Sequence, residues 1–483
     1  MLNKEKFIMQ CKKLKRIICI EYQNHDYEKC LKSITLLGRL RYMANIDYCD
    51  KDTDIIIEKI VNSITQFNQN KKGNDSYLVF YDSFGLDVRG LALIYLKALV
   101  ELQYNIIYIT KRKQKDNLPT IQKILNQNEK NKLFYIDEIP IINNYQKIYK
   151  FLGNYNVEKI ILYLEPYDLI GIMLGISYQN KIERFFINLT DHAFWLGTNS
   201  FDYLIEFRDY GANVTFYYRK IDKKKIIKLP YYPLINKEFK FEGFPKETKD
   251  KKIIFSGGSL YKTFGDGNKY YYMIDYLLKG HPDIVFIYAG YGDETELDKL
   301  DYRYAGRVFH INERKDLFQM MKHSYLYLST YPMIGGLMTQ YAVSAGILPF
   351  TLIYDECGTG VLLDPKKVGI EFYDIDAMLA EIDHCIEDKE YMMHKRKKLD
   401  AQLISDIQFR ENLNKILKTK KSDFNVKYNF IDTKNFRNTY LERITDKDIN
   451  MMFGKKKFIH LFKYFPKEAI KGVLNTIKEK VCK

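Results

Sequence analysis

Residues 325–353, YLYLSTYPMIGGLMTQYAVSAGILPFTLI, read as one strand–helix–strand unit. Tyr325–Ser329 and Leu348–Ile353 are short apolar runs, and Met338–Ala345 is an apolar helical stretch between them. A strand buried on both faces looks like such a run, and a helix joining two of them predicts a parallel pair. Gly335-Gly336 stands where the loop becomes the helix, and Gly346 where the helix ends. Glycines at a helix start leave backbone N–H groups open at the positive end of the helix dipole, a setting that suits a diphosphate. Thr339 then falls in the first turn, where its hydroxyl can reach a phosphate. The same residues also suit an N-capped core helix whose glycines allow close packing.

Working outward, the rhythm continues in both directions. Lys252–Phe255, Ile284–Ala289, Tyr325–Ser329 and Leu348–Ile353 read as strands. Lys269–Lys279, Lys315–Lys322, Met338–Ala345 and Ala377–Glu387 read as helices, and Tyr391–Lys418 is helical in pattern. An earlier series has strands at Tyr77–Tyr81, Asn105–Thr110, Leu133–Ile136, Lys159–Leu164 and Arg184–Asn188. Its helices are Asp87–Leu102, Leu118–Glu129, Asn143–Leu152 and Tyr167–Ile176. Pro230–Lys251, with Pro230, Pro233, Gly243 and Pro245, breaks the rhythm and reads as a linker. The expected organisation is a helical cap at 1–72, a Rossmann-like domain at 73–235, a second at 250–420, and a tail at 421–483. The fold class is therefore α/β, with two doubly wound domains facing a cleft and ligands beyond the carboxyl ends of the strands.

Composition excludes several classes. At 483 residues and 46% hydrophobic content, the chain suits two α/β cores and argues against disorder. The net charge is +15, but residues 451–483 hold nine Lys and two Glu, so much of the excess sits in the tail. A dispersed nucleic-acid surface is not expected. Lys455-Lys456-Lys457 precede Phe458, Ile459, Leu461 and Phe462, and after Pro466 the residues Ile470, Val473, Leu474, Ile477 and Val481 share one helical face. A basic amphipathic helix of this kind suits an anionic membrane surface, or packs its apolar face onto the domains. Seven scattered cysteines without a C-x-x-C pair fit a reducing compartment. Neither a signal peptide nor a membrane-length apolar stretch is read, which points to the cytoplasm, at the inner face of the membrane if the tail binds it.

Further motifs fall at predicted strand ends. Phe255-Ser256-Gly257-Gly258-Ser259 ends a strand, and Lys262 follows close enough to neutralise a diphosphate; an ordinary turn with a surface lysine would look the same. Asn188-Leu189-Thr190-Asp191-His192-Ala193-Phe194-Trp195-Leu196-Gly197 follows the last clear strand of the first domain. Its Asp191–His192 pair is an acid/base candidate, since histidine titrates near neutral pH, and equally a structural loop. Asp87 and Arg89, in Tyr81–Gly90, are a further polar pair, with Asp87 as a second candidate base or a helix cap. Asp374-Ile375-Asp376 directly precedes a helix, so capping explains it and no metal site is expected.

In order, these features are the Ser-Gly-Gly loop, Tyr288-Ala289-Gly290, Gly306-Arg307-Val308, Asn312-Glu313-Arg314, Thr330-Tyr331-Pro332 and Gly335-Gly336. Over about residues 77–420 they resemble the donor-binding half and partner domain of GT-B glycosyltransferases of the bacterial polysaccharide and protein O-GlcNAc-transferase-like type. Where that type has Gly-Gly-Thr-Thr, this chain has Gly335-Gly336-Leu337-Met338-Thr339. The resemblance implies a metal-independent transferase with no cofactor beyond a nucleoside-diphosphate sugar. Asn312 and Arg314 would lie near the nucleobase, and Gly257, Gly258, Lys262, Gly335, Gly336 and Thr339 around the diphosphate. His192 would stand near the reacting centre, and the acceptor would be a cell-surface polysaccharide, a lipid-linked glycan or a protein. Only Glu356 fits the Glu-x7-Glu pattern of retaining members, because position 364 is Asp364. A non-catalytic membrane-associated binding protein on the same scaffold is the alternative.

Overall fold

A computed structural model describes residues 4–65, 74–87, 91–111, 118–137, 139–235 and 238–442, with Pro466 and Ile470 beyond them. The remaining tail, and with it the expected amphipathic helix, lies outside the described residues, as do Arg89 and Gly90. The chain divides into two compact units. Unit 1 comprises residues 1–229, 412–430 and 437–483, and unit 2 residues 230–411 and 431–436.

Unit 1 opens with helices α1 (Lys4–Gln23), α2 (Tyr27–Ala44) and α3 (Lys51–Ile64). Then alternate β1 (Ser76–Asp82), α4 (Ala92–Glu101), β2 (Ile106–Lys111), α5 (Pro119–Leu125), β3 (Lys132–Ile136), α6 (Ile141–Leu152), β4 (Asn156–Tyr163), α7 (Leu169–Ser177) and β5 (Glu183–Ile187). β6 (Tyr203–Glu206), α8 (Asp209–Tyr217) and β7 (Ile226–Lys228) complete the series. The strands form one sheet in the order β3-β2-β1-β4-β5-β6-β7, and every pairing is parallel. The order reverses between β1 and β4, the mark of a doubly wound sheet.

The first helices are part of this unit's interior. Phe7, Leu14, Ile34, Leu37, Ile57 and Ile60 share a core with Val79, Ile160 and Leu174. Asp50 fixes the start of α3 by accepting from Thr53 N. Helix α7 is buried on all sides, so it is apolar throughout rather than striped. Its Gly171 lets Tyr81 and Leu164 approach, since a Cβ there would meet their side chains at 2.6 and 2.4 Å.

Unit 2 repeats the plan with β8 (Lys252–Ser259), α9 (Lys269–Gly280), β9 (Ile284–Tyr291), α10 (Thr295–Arg303), β10 (Val308–Ile311), α11 (Leu317–Lys322) and β11 (Leu326–Leu328). α12 (Gly336–Ser344), β12 (Pro349–Leu352), α13 (Pro365–Val368), β13 (Glu371–Phe372), α14 (Ile375–Glu387) and α15 (Lys389–Arg396) follow. Its sheet is β10-β9-β8-β11-β12-β13, again parallel. Two further helices, α16 (Asp406–Thr419) and α17 (Lys434–Glu442), come after α15.

Several elements depart from the sequence reading. The stretch Tyr391–Lys418 is two helices, because Ser405 and Gln408 form a reciprocal capping box that starts α16 afresh. The Asp87–Leu102 helix begins only at Ala92. Strands β6, β7, β10 and β13, together with α8 and α10, had no expectation at all. These strands have between two and four residues, too short for a periodic pattern to register.

Candidate functional site

In unit 2 the strand order reverses between β8 and β11, so the loops after these strands border the crevice where such sheets bind ligands. The two loops are tied together. Met333 N donates to the Lys262 carbonyl at 3.2 Å, and the Tyr331 hydroxyl donates to Asp266. Thr330 Oγ1 donates to the Met333 carbonyl at 2.7 Å, which shapes the turn ahead of α12.

Five of the expected donor residues stand at this point. Gly257 is packed, since a Cβ would meet the Ala289 carbonyl at 2.8 Å and Met338 at 2.9 Å. Gly258 has φ +128° and faces open space. Gly335 is the N-cap of α12, no side chain caps that helix, and Gly336 is its first residue. Lys262 sits on a single helical turn, Leu260–Thr263. Its half-buried ammonium has no hydrogen-bonding or ionic partner among the described residues, and desolvation pushes its pKa down. The loop that carries this desolvated cation is tied, through Met333 N, to the turn that leads into the uncapped start of α12.

Several of the other expected residues have contacts within the protein. Gly336 also has a packing role, because a Cβ would press on Val361 at 3.3 Å. Thr339 is buried, and its hydroxyl donates back to the Gly335 carbonyl at 3.3 Å. Arg314 is engaged within the protein: it pairs with Asp316 and donates to the Gly243 carbonyl at 2.6 Å. Holding the 242–244 segment in place accounts for it more directly than contact with a base. Asn312 is exposed, just past the end of edge strand β10. Asp374 accepts from Ala377 N at 2.8 Å, a helix cap as its position suggested. Glu356 receives the Tyr373 hydroxyl at 3.2 Å, and Asp364 pairs with Lys367.

Asp191 and His192 lie in unit 1, in the loop that leaves β5. Asp191 is fully buried and takes a bidentate pair from Arg208, Nε at 2.6 Å and Nη2 at 2.9 Å. His192 Nδ1 lies 3.1 Å from Asp191 Oδ1, and its side chain is 28% exposed, so the ring is oriented from below yet open to solvent. Burial would raise the Asp191 pKa, but Arg208 and His192 together hold it well below the usual carboxylate range. Glu206, at the end of β6, is also fully buried; desolvation and the nearby Asp191 charge push it up to about 7. Both carboxylates face Gly211, where a Cβ would meet Glu206 Oε2 at 2.3 Å and Asp191 Oδ2 at 2.9 Å. Only glycine leaves room for the two acids.

Asp87 is not a free base. Its carboxylate accepts from Thr120 N at 2.9 Å and Ile121 N at 3.0 Å, capping α5, a helix more than thirty residues further on. The sequence reading missed Glu206, Arg208 and Arg219. Glu206 ends the apolar run Leu204-Ile205, and Arg219 follows an aromatic run; a charge closing an apolar run was the one available signal.

No protein-family profile matches the chain, and no curated protein matches it in sequence. Solved structures do. Anabaena HepE, determined in complex with UDP and glucose, is 12% identical with a TM-score of 0.50, covering 72% of this chain and 100% of its own. An O-GlcNAc transferase from Thermobaculum terrenum is 10% identical with a TM-score of 0.52, covering 90% of this chain and 82% of its own. A UDP-N-acetylglucosamine 2-epimerase is also similar, with 9% identity and a TM-score of 0.49 over 74% of this chain and 100% of its own. With its two parallel doubly wound sheets, the chain has the GT-B glycosyltransferase-like fold. No helix among the described residues is long and apolar enough to cross a membrane.

Proposed function

We propose that this protein binds a nucleoside-diphosphate sugar in unit 2 and transfers its sugar to a glycan, lipid-linked or protein acceptor. The observation that carries the reading is the desolvated Lys262, without a partner among the described residues, on the loop tied to the turn before the uncapped start of α12, at the strand-order reversal. Breaking the bond from sugar to diphosphate leaves growing negative charge on the leaving group. Preorganised N–H groups and a cation answer that charge without rearranging as it develops. Gly258, open on its solvent side, lets the donor approach the backbone. The UDP in the HepE complex supports a nucleotide of this class.

His192 is the group we assign to take the proton from the acceptor hydroxyl. Asp191, held ionised by Arg208, would fix the imidazole and stabilise its charged form, the role a buried carboxylate plays behind a catalytic histidine. The tail is proposed as a basic contact with anionic lipid, next to a lipid-linked acceptor.

The test is a thermal-shift screen against UDP-, GDP-, CMP- and dTDP-sugars, followed by assay of nucleoside diphosphate released from any hit. Binding with release supports the reading. Binding without release, with every acceptor class supplied, favours a non-catalytic binding protein. A protein that binds no nucleotide sugar at millimolar concentration is not a transferase of this type.

A further inference from the structure

The loop that carries His192 has no secondary structure of its own, yet each of four successive carbonyls is taken by a buried side chain. Arg219 Nη2 donates to the carbonyls of Thr190 at 3.4 Å, Asp191 at 3.1 Å and Ala193 at 2.7 Å. The His192 carbonyl accepts from Asn45 Nδ2 at 3.1 Å, and Asn45 Oδ1 accepts from Phe194 N at 3.1 Å. One asparagine therefore spans the peptide units on either side of Ala193. Asn45 is fully buried, and it is the left-handed residue, φ 43° and ψ 42°, that ends α2. Arg219 is fully buried against Trp195, 4.7 Å from its ring.

The loop after α2 and helix α3 continue the grip beyond the histidine. Trp195 N donates to the Tyr48 carbonyl at 3.3 Å. Asp54 accepts from Gly197 N at 2.7 Å, and from Thr198 N and Oγ1 at 2.9 and 2.6 Å. Asn199 reaches Glu58 at 2.8 Å.

Burying an arginine and an asparagine is costly, and a loop needs neither merely to stay folded. What such clamps deliver is a fixed backbone at one point, and that point is His192. We infer that Asn45 and Arg219 are positioning residues for His192, so that the N-terminal helices, through Asn45, set the aim of the imidazole. This rests on His192 being the acceptor base.

The experiment reads the histidine itself. Diethyl pyrocarbonate modification of His192 is followed by peptide mass spectrometry across pH 5.5–8.5 in the full chain, in Asn45→Gly and in Arg219→Lys. Asn45→Gly keeps the left-handed backbone without strain and deletes both hydrogen bonds. We expect its His192 profile to shift, with at least a threefold change in rate near pH 7, while melting stays cooperative and UDP binding by calorimetry is unchanged. A merely structural clamp would lower the melting temperature and leave the profile alone. Superimposable profiles in a folded Asn45→Gly protein overturn the inference, even if Arg219→Lys fails to fold. The underlying reading fails separately, if His192→Ala releases nucleoside diphosphate as fast as wild type.

Discussion

Replacing Lys262 by methionine should do two opposite things. In the empty protein the ammonium is desolvated and has no counter-charge among the described residues, so its removal relieves a cost. In the proposed donor complex the same ammonium would meet phosphate oxygens, and a hydrogen bond to a charged group is worth about 1.5–3 kcal/mol. Lys262→Met should therefore weaken UDP binding by roughly ten- to 150-fold, since about 1.4 kcal/mol is tenfold, and raise the melting temperature of the unliganded protein. The pH dependence has a definite sign. A lysine whose folded pKa lies below its unfolded value binds fewer protons when folded, so wild-type stability gains as pH rises toward 10.5. The methionine variant should lack that gain. Calorimetry with UDP and scanning calorimetry at pH 7 and pH 9.5 read both effects. UDP affinity unchanged within twofold would refute the phosphate role, and a lower melting temperature would show that the lysine stem is held for packing.

His192→Ala should lower turnover by about a hundredfold or more with donor binding intact, as expected for loss of a general base; turnover near wild type would make the Asp191 pair structural. Glu206, pushed up to about 7 from 4.5, binds its proton more tightly in the folded state, so its contribution is whole below pH 4.5 and lost as pH rises through 7. That shift is worth up to about 3 kcal/mol, and Glu206→Gln should flatten the fall in denaturation midpoint between pH 5 and 8. The flattening is partial, because buried Asp54, raised to about 6, acts in the same direction; an identical slope in the variant would contradict the assignment. Liposome co-sedimentation should show anionic vesicles binding the full chain at low salt but not a chain ending at Asn450, and equal binding by both would remove the tail from the membrane reading.

The fold was legible because its long strands are apolar on both faces: β1, β2, β4, β8 and β9 all announce themselves. The Gly335-Gly336 helix start was legible too, since glycines after an apolar strand are a local signal. What was hidden depends on distance along the chain. Asp87 caps a helix that begins at Pro119, and Asp191 is held by Arg208 from another strand end. Arg314 looked available because its partner, Asp316, is only two residues away and reads as ordinary surface charge. Asn45 lies 147 residues before the carbonyl it holds, and nothing in the run Met43-Ala44-Asn45-Ile46 marks it.

The return of residues 412–430 to unit 1 has a consequence for biosynthesis. Asn213, on α8, bonds the Lys427 carbonyl and Asn429 N, groups made more than two hundred residues later. At translation rates of about 5–20 residues per second, roughly 10–40 s separate the two halves of that contact. The first unit emerges from the ribosome early but waits, with one flank of α8 uncovered, until the second has been made. A chaperone that shields that flank should matter more for this protein than its N-terminal position suggests, and a stop codon shortly before residue 412 should damage the first unit rather than the second.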